Sequence, residues 1–132
     1  MSTLNKDARD LLSKPLFAWV TTLRTDGSPH STVVWIDVDG DDVIFNTAVG
    51  RLKERNLRRD PRVSVGVLDP EDTYHLVSIS GSAQLETDGA DAVIDRLAKK
   101  YLGVATYPFR TPDEQRVTVR VTPKTMIYSP GR

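Results

Sequence analysis

Two runs of β-branched and aromatic residues, joined by a tight turn, decide the fold: residues 16–38 read LFAWVTTLRTDGSPHSTVVWIDV. The first run covers residues 16–23 and the second covers residues 30–38. Residues 25–28 between them read TDGS, and an Asp-Gly pair between two such runs is a strong signal of a β-hairpin turn. The stretch therefore predicts two antiparallel strands at the start of a mainly β protein.

The rest of the chain extends this meander. Residues 39–42 predict a second tight turn, and residues 43–47 a third strand. Alternating patterns predict further strands, with Gly81 as a bulge, at residues 62–68, 73–85, 116–121 and 125–128. Six or seven short antiparallel strands favour a closed or partly closed barrel, because closure removes exposed strand edges. A β-sandwich stays open as the alternative.

Three short helices interrupt the predicted strands. The first is predicted near the amino terminus, with Ser2 or Thr3 as its cap. The second covers residues 50–60, which lack β-branched residues and are rich in helix formers. The third is predicted to begin with Asp88 as its cap and to end at Gly103.

Composition limits the class of protein. A chain of 132 residues fits one domain, residues 1–132. A formal net charge of zero argues against a nucleic-acid binder, because attraction to phosphates over long distances needs a basic surplus. The absence of cysteine fits a reducing compartment, the first residues are too polar for a secretory signal, and no apolar run approaches the roughly 20 residues that cross a bilayer. We expect a cytoplasmic protein that binds neither nucleic acid nor membrane.

The most informative feature is a basic cluster in and after the predicted second helix. Its members lie within a dozen positions of a chain that is neutral overall: Arg51, Lys53, Arg55, Arg58, Arg59 and Arg62. At about 100° per residue, Arg55 and Arg58 lie on the same side of the helix as Arg51. Both are expected to be solvated surface residues that need no ligand. Lys53 lies on the side of the helix leucines, where an unpaired charge is costly. Lys53 is therefore predicted to bind an anion.

A phosphate site is indicated where this helix begins. The third strand ends with Asn46 and Thr47, and the chain then turns at Gly50 into the helix. Free backbone N–H groups and the positive dipole end at a helix start attract phosphate, and the hydroxyl of Thr47 is a further donor. Together with Arg51 and Lys53, this turn predicts a phosphate-binding site.

No conventional catalytic group is predicted. The histidines are His30 and His75, and neither has metal-ligand spacing or lies beside a candidate nucleophile. We therefore expect no metal and no catalytic residue, and any redox chemistry would reside in a bound cofactor.

The aromatic residues fall into two groups. Phe17, Trp19 and Phe45 lie in predicted strands and are expected to be core residues. The remaining candidates, Trp35, Tyr74 and Tyr107, lie near strand ends or in loops, where they are available as flat walls for a planar ring.

Three stretches carry a resemblance to a known family. They are residues 20–30 (VTTLRTDGSPH), 50–62 (GRLKERNLRRDPR) and 81–85 (GSAQL). The second is the most specific, because its Arg-x-Lys followed by Asn-Leu-Arg-Arg-Asp-Pro is typical of one branch. On these residues the chain resembles the pyridoxamine-phosphate-oxidase-like proteins, which are FMN-binding split barrels, and within them the branch that uses the deazaflavin coenzyme F420. The resemblance implies an antiparallel split barrel of six or seven strands.

The resemblance also implies a homodimer with two cofactor sites, each built at the interface from both subunits. The implied cofactor-binding residues are His30, Ser31, Thr32 and Val33 beside the ring, Asn46, Thr47, Arg51 and Lys53 at the ribityl and phosphate groups, and Tyr74 and His75 near the interface.

The reaction that the resemblance implies is hydride transfer between reduced F420 and an unsaturated small organic acceptor, with the protein orienting the two. Two alternatives remain. One is an FMN-dependent oxidase or reductase of the same fold, since the same phosphate anchor would serve. The other is a protein that binds or carries F420 or a flavin without turnover. The oligoglutamate tail of F420 favours extra cations at the cleft mouth, for which Arg55, Arg58 and Arg110 are candidates.

Overall fold

The computed structural model describes residues 3–132, and within that range it contains seven strands and three helices. The strands are β1 (Ala18–Leu23), β2 (Pro29–Val34), β3 (Ile36–Asp39), β4 (Asp42–Ala48), β5 (Arg62–Asp69), β6 (Asp72–Glu86) and β7 (Arg116–Pro130). The helices are α1 (Lys6–Leu12), α2 (Leu52–Arg59) and α3 (Ala90–Leu102). The prediction of a mainly β protein with short helices is confirmed.

All seven described strands form one antiparallel sheet in the order β2-β1-β5-β6-β7-β4-β3. β2 and β3 are therefore the two edges of the sheet, yet only Trp35 separates them along the chain. Two edges can be joined by one residue only if the sheet curls until they meet. The fold is accordingly a split barrel, as predicted, and not a sandwich.

The first hairpin forms through the predicted turn chemistry. Gly27 has a φ of 84°, which favours glycine, and the carboxylate of Asp26 accepts the backbone N–H of Ser28 at 2.9 Å. The strand predicted over residues 30–38 is divided at Trp35, because the chain crosses there from one sheet edge to the other. The two predicted carboxyl-terminal strands are instead the single long strand β7.

The amino-terminal caps predicted for α1 and α3 are not the caps that the structure has. The cap of α1 is Asn5, whose side-chain oxygen accepts the N–H of Ala8 at 2.7 Å, whereas Thr3 donates to the carbonyl of Pro123. Ser2 lies outside the described residues. At α3 the cap position is held by Gly89 with a φ of 76° and no side-chain bond, so Asp88 does not cap it.

The core fills the interior of the barrel and is closed by α1. Phe45 is fully buried as predicted, and Leu11 and Leu12 of α1 pack into the same cluster. β4 is buried from Val43 to Ala48 because α3 packs against β4 and β7 on the side away from the barrel interior. The core prediction for Phe17 and Trp19 is wrong: their exposed fractions are 64% and 59%.

Gly81 marks the predicted bulge in the longest strand pair. The register of β6 against β7 shifts between Ser80 and Gly81. A Cβ atom added at Gly81 would lie 2.2 Å from the carbonyl oxygen of Thr122, which is closer than such atoms can approach. Glycine is therefore required here by the close passage of the neighbouring backbone.

We expect Gly81→Ala to lower the free energy of unfolding by about 2 kcal/mol or more, because the added methyl must displace backbone and not a flexible side chain. Chemical denaturation measures this change. Ser82→Ala on the same strand is the control, with an expected change within about 0.5 kcal/mol. Equal losses in the two variants would contradict the close approach at Gly81.

Candidate functional site

An open cavity of about 210 Å³ lies beside the junction of β2 and β3. Its walls come from this junction, β4, the start of α2, α3, the start of β7 and loop 103–115. The apolar and aromatic lining residues are Phe17, Val33, Val34, Trp35, Ile94, Leu97, Tyr107 and Phe109, and the polar ones are Asn46, Arg51, Lys53 and Arg116. The cavity thus combines flat apolar walls with a cluster of cations.

These cations, the side chains of Arg51, Lys53 and Arg116, are called the anion anchor below. Burial lowers the pKa of Lys53, and the charges of Arg51 and Arg116 lower it further. No carboxylate of the described residues offsets that shift. A bound anion would favour the charged form of Lys53 and relieve the repulsion, so the anchor suits an anionic ligand.

The turn before α2 is held by hydrogen bonds of its own backbone N–H groups. Gly50 has a φ of 94°, and its N–H donates to the carboxylate of Glu54 at 3.3 Å. The N–H of Arg51 donates to the carbonyl of Ala48 at 3.2 Å. Two N–H groups of this turn are therefore already bonded within the protein, whereas the start of α2 itself has no side-chain cap.

The helix arc places the basic side chains as expected, with one addition. Arg55 and Arg58 are exposed and Lys53 is half-buried, as the angular argument predicts. The addition is Glu54, which is 2% exposed although no pattern in the sequence signals its burial. Arg58 holds this buried carboxylate, with Nη2 donating to Oε1 at 2.9 Å. Arg58 is thus a structural partner of Glu54 and not merely a solvated cation.

Alternation along β4 separates the two residues predicted at the phosphate. Asn46 lines the cavity, where its Oδ1 accepts from Nε of Arg116 at 2.7 Å and its Nδ2 donates to the carbonyl of Ala90 at 3.0 Å. Thr47 points to the opposite face of the strand, is fully buried and is not a cavity residue. Its Oγ1 has no hydrogen-bond partner among residues 3–132.

β2 contributes the residues predicted beside the ring. Ser31 and Val33 share the outward face of the strand. Val33 also lines the cavity, and Ser31 shares a hydrogen bond of 2.7 Å with Thr21. His30 and Thr32 lie on the inner face, and their Nδ1 and Oγ1 atoms are buried without a partner in the described part of the chain. Unsatisfied buried polar atoms are rare in folded proteins. Neither His30 nor Thr32 is part of the cavity lining, and Ser31 is not part of it either.

Tyr74 and His75 are not brought to the cavity of their own protomer. They lie at the β5–β6 hairpin, where His75 contacts the carboxylate of Asp69 at 3.4 Å and the hydroxyl of Tyr128 at 3.1 Å. The guanidinium of Arg132 lies 3.8 Å from the ring centre of Tyr74. Their predicted approach to the cofactor therefore depends on a second subunit.

Arg116 is the functional candidate that the sequence analysis missed. It is 4% exposed, and its guanidinium carbon lies 5.2 Å from the ring centre of Tyr107. Residue 116 was predicted only as the start of a strand. Its place in the anchor follows from the pairing of β7 with β4, which sets Arg116 opposite Ala48, and no local pattern signals that pairing.

Three rings, Trp35, Tyr107 and Phe109, form an aromatic wall. Trp35 and Tyr107 meet edge to face at 6.1 Å between ring centres, as do Tyr107 and Phe109 at 5.7 Å. Tyr101 of α3 stacks on Trp35 at 5.4 Å between ring centres. Asp95 of α3 accepts the N–H of Tyr107 at 2.8 Å, which ties loop 103–115 to the helix. The wall is thus held from both sides.

The three cations suggested for the mouth of the cleft have different surroundings. Arg110 pairs with Asp91 at 3.0 Å and with Asp95, and Arg58 pairs with the buried carboxylate described above. Arg55 is exposed, with no ion pair recorded among the described residues. Of the three, Arg55 is the one most available to an acidic tail.

The part of the chain that the structure describes has neither a metal-binding cluster nor a membrane-spanning helix. Within residues 3–132 no group of histidine, aspartate and glutamate side chains is placed to hold a metal ion. No helix in that range has the length and apolar character needed to cross a membrane. The cavity lining combines the aromatic wall with the anion anchor, and this combination fits a flat organic ring that carries an anionic group.

The curled antiparallel sheet, with a cavity lined by cations and aromatic rings at its junction, defines a split β-barrel protein. The chain belongs to the pyridoxamine 5'-phosphate oxidase family, whose sequence model matches residues 4–129. The family predicted from the sequence is therefore confirmed.

Solved structures agree with this assignment. A protein described as an F420 reductase is 28% identical, with a TM-score of 0.82, and the match covers 94% of this chain and 98% of that one. A conserved hypothetical protein from Mycobacterium tuberculosis is 25% identical over 98% of this chain and 86% of its own, with a TM-score of 0.77. General stress protein 26 from Bacillus anthracis, at 18% identity, shares the fold with a TM-score of 0.72 and covers 96% and 94% of the two chains.

Proposed function

We propose that this protein is an F420-dependent oxidoreductase that transfers a hydride between the reduced deazaflavin and an unsaturated small organic acceptor. The observation that carries the proposal is the anion anchor beside the aromatic wall, with the charge of Lys53 offset by no carboxylate of the described residues. The similarity to an F420 reductase at 28% identity favours the deazaflavin over FMN. The lack of cysteine suits the cytoplasmic location that we also propose.

The residues of the cavity divide the work of binding. Lys53 and Arg51 would hold the phosphate, and Asn46 would keep the guanidinium of Arg116 directed toward it. Val33 and Trp35 would contact the ring. When bound, the deazaflavin supplies the hydride, and the protein contributes by orienting the ring and the acceptor and by excluding water.

The cavity lining includes no carboxylate and no imidazole among the described residues. That the protein uses no dedicated acid or base stays a prediction from the sequence. A water molecule or a hydroxyl close to the cofactor would deliver the proton.

We further propose that a second copy of the chain completes each site. Register places Val33, Trp19, Gly66, Ser78 and Ile127 in one row across five neighbouring strands. The row and its apolar neighbours are called the outer face below. Trp19 is 59% and Ile127 69% exposed, with the small residues between them forming the floor of a groove.

The groove has the properties of an interface between two copies. Its volume is about 600 Å³, and most of its lining is apolar. Exposed apolar surfaces of this kind mark sites of association, and a two-fold axis would let each Trp19 enter the other copy's groove. The outer face reaches the cavity at Val33, so a second copy on it would add walls, including its own Tyr74 and His75. The cavity in one protomer has a volume of about 210 Å³, whereas small-molecule sites usually have roughly 300 Å³ or more. Walls from a second copy would enlarge it into a site of the usual size.

We expect Lys53→Ala to weaken the binding of F420 and of FMN by about tenfold or more, because a charge-assisted bond from a half-buried ammonium to a phosphate is lost. Fluorescence titration with each cofactor at fixed low salt measures the affinities.

Arg55→Ala is the matched control for Lys53→Ala. It removes the same charge from the same helix on the exposed side, and we expect less than about a twofold change in the affinity for FMN, which has no oligoglutamate tail that could reach Arg55. Equal losses of affinity in the two variants would show that only net charge matters, and the proposal that Lys53 binds the phosphate would be wrong.

The reaction is tested by mixing the protein with reduced F420 and a set of enones and quinones. We expect the deazaflavin to be oxidised faster than in protein-free mixtures, as followed by its absorbance. Tight F420 binding without turnover would identify a carrier, and turnover with FMN alone would identify the flavin-dependent alternative.

Light scattering tests whether two copies of the chain associate. We expect a dimer for the natural sequence and a monomer for Trp19→Glu, because a carboxylate cannot enter the apolar groove unpaired. Leu102→Glu, at a position of α3 that is 46% exposed and outside the groove, should remain dimeric. A monomeric natural protein would remove the basis for the shared site.

A further inference from the structure

Two side chains of the anion anchor, Arg51 and Arg116, already contact an anion of the protein itself, the carboxylate of Glu114. Its Oε1 accepts from Nη2 of Arg51 at 3.4 Å and from Nη1 of Arg116. Among residues 3–132, no other carboxylate forms an ion pair with an anchor cation. Glu114 is not part of the cavity lining, so it contacts the arginines of the anchor from outside the cavity.

The two contacts of Glu114 differ in strength. The side chain of Arg116 is 3% exposed and is also held by Asn46 at 2.7 Å. The side chain of Arg51 is 53% exposed and touches Glu114 through one long contact. Separating Arg116 from Glu114 would leave a buried charge unpaired, whereas an exposed pair such as Arg51–Glu114 contributes little. Arg51 is therefore the arginine that can separate from Glu114 at little cost in free energy.

Glu114 carries its negative charge at neutral pH. Burial opposes ionisation, but hydrogen bonding from Arg116 and the charges of Arg116 and Arg51 hold the pKa of this carboxyl below its usual value. The Thr111 hydroxyl lies within 3.4 Å of its second oxygen, Oε2. The carboxylate thus reduces the positive charge that any incoming anion meets.

We propose that Glu114 is an internal competitor of the cofactor phosphate: Arg51 exchanges Glu114 for the phosphate, while Arg116 keeps it. The affinity of the anchor is then set by Glu114 as well as by its cations, and the release of Arg51 is part of binding. The inference rests on the proposed function in one respect, that the anchor receives a phosphate.

The test compares the natural protein with Glu114→Gln in titrations with FMN and riboflavin, which share a ring and differ by the phosphate. We expect Glu114→Gln to bind FMN about three- to tenfold more tightly, more so at low salt, and riboflavin unchanged. The same direction is expected for F420 and for inorganic phosphate.

Asp113→Asn is the matched control. Asp113 is exposed, adjoins Glu114 in sequence, and forms no ion pair recorded within residues 3–132, so its substitution changes net charge by the same amount without touching the anchor. We expect less than about a twofold change in FMN affinity. An equal gain in both variants would overturn the proposal, because long-range charge alone would explain it.

Thermal unfolding gives an independent measurement. Glu114→Gln should melt at a lower temperature in phosphate-free buffer, because buried Arg116 loses its ionic partner, and added phosphate should raise its melting temperature more than that of the natural protein. If Glu114→Gln fails to fold, Glu114→Asp retains the charge one carbon–carbon bond farther from Arg51, and its FMN affinity should also rise.

The outcomes separate this proposal from the proposed function. If the natural protein binds FMN or F420 and Lys53→Ala weakens binding, but Glu114→Gln binds equally or more weakly, Glu114 only positions the arginines and this inference alone is wrong. If neither protein binds any phosphate-bearing probe, both proposals are wrong.

Discussion

The one-residue link between β2 and β3 is the constraint on which the rest of the structure depends. Trp35 alone carries the chain from one sheet edge to the other, so the sheet has to curl. Tyr101 fixes this junction from α3: its ring stacks on Trp35, and its hydroxyl donates to the carbonyl of Leu16 at 2.6 Å and accepts the N–H of Ile36 at 3.1 Å. Burial raises the pKa of Tyr101 to about 12, so the phenol stays neutral at ordinary pH. Lys100 adds a bond of 2.7 Å to the carbonyl of Ile36.

Closure of the barrel and formation of the candidate site are therefore a single structural event. The residue that joins the edges, Trp35, also begins the aromatic wall. β4 pairs with β3 on one side and with β7 on the other, and this pairing brings Asn46 and Arg116 next to the junction. A change that loosened the junction would act on the cavity and on the sheet together. The site is thus a property of the closed fold and not of any one loop.

The sequence predicted what local chemistry determines. The Asp-Gly hairpin, the basic helix and the glycine bulge follow from residues that are close along the chain. Strand alternation shows that Trp19 and Val20 face opposite sides, but only closure decides which side is inside, and the core prediction for Trp19 therefore failed. The contact between Arg116 and Asn46 joins residues 70 positions apart, and no single-sequence pattern signals it.

Two carboxylates beside the basic helix show why burial alone does not assign a role. Glu54 is bonded to the N–H of Gly50 and to Arg58, each four positions away, and neither partner lines the cavity. Glu114 shares Arg51 with the cavity. Both carboxylates neutralise arginine, but only the second does so where a ligand can reach the same guanidinium. The difference lies in whether the cation has another anion within reach, and that is what makes one carboxylate structural and the other exchangeable.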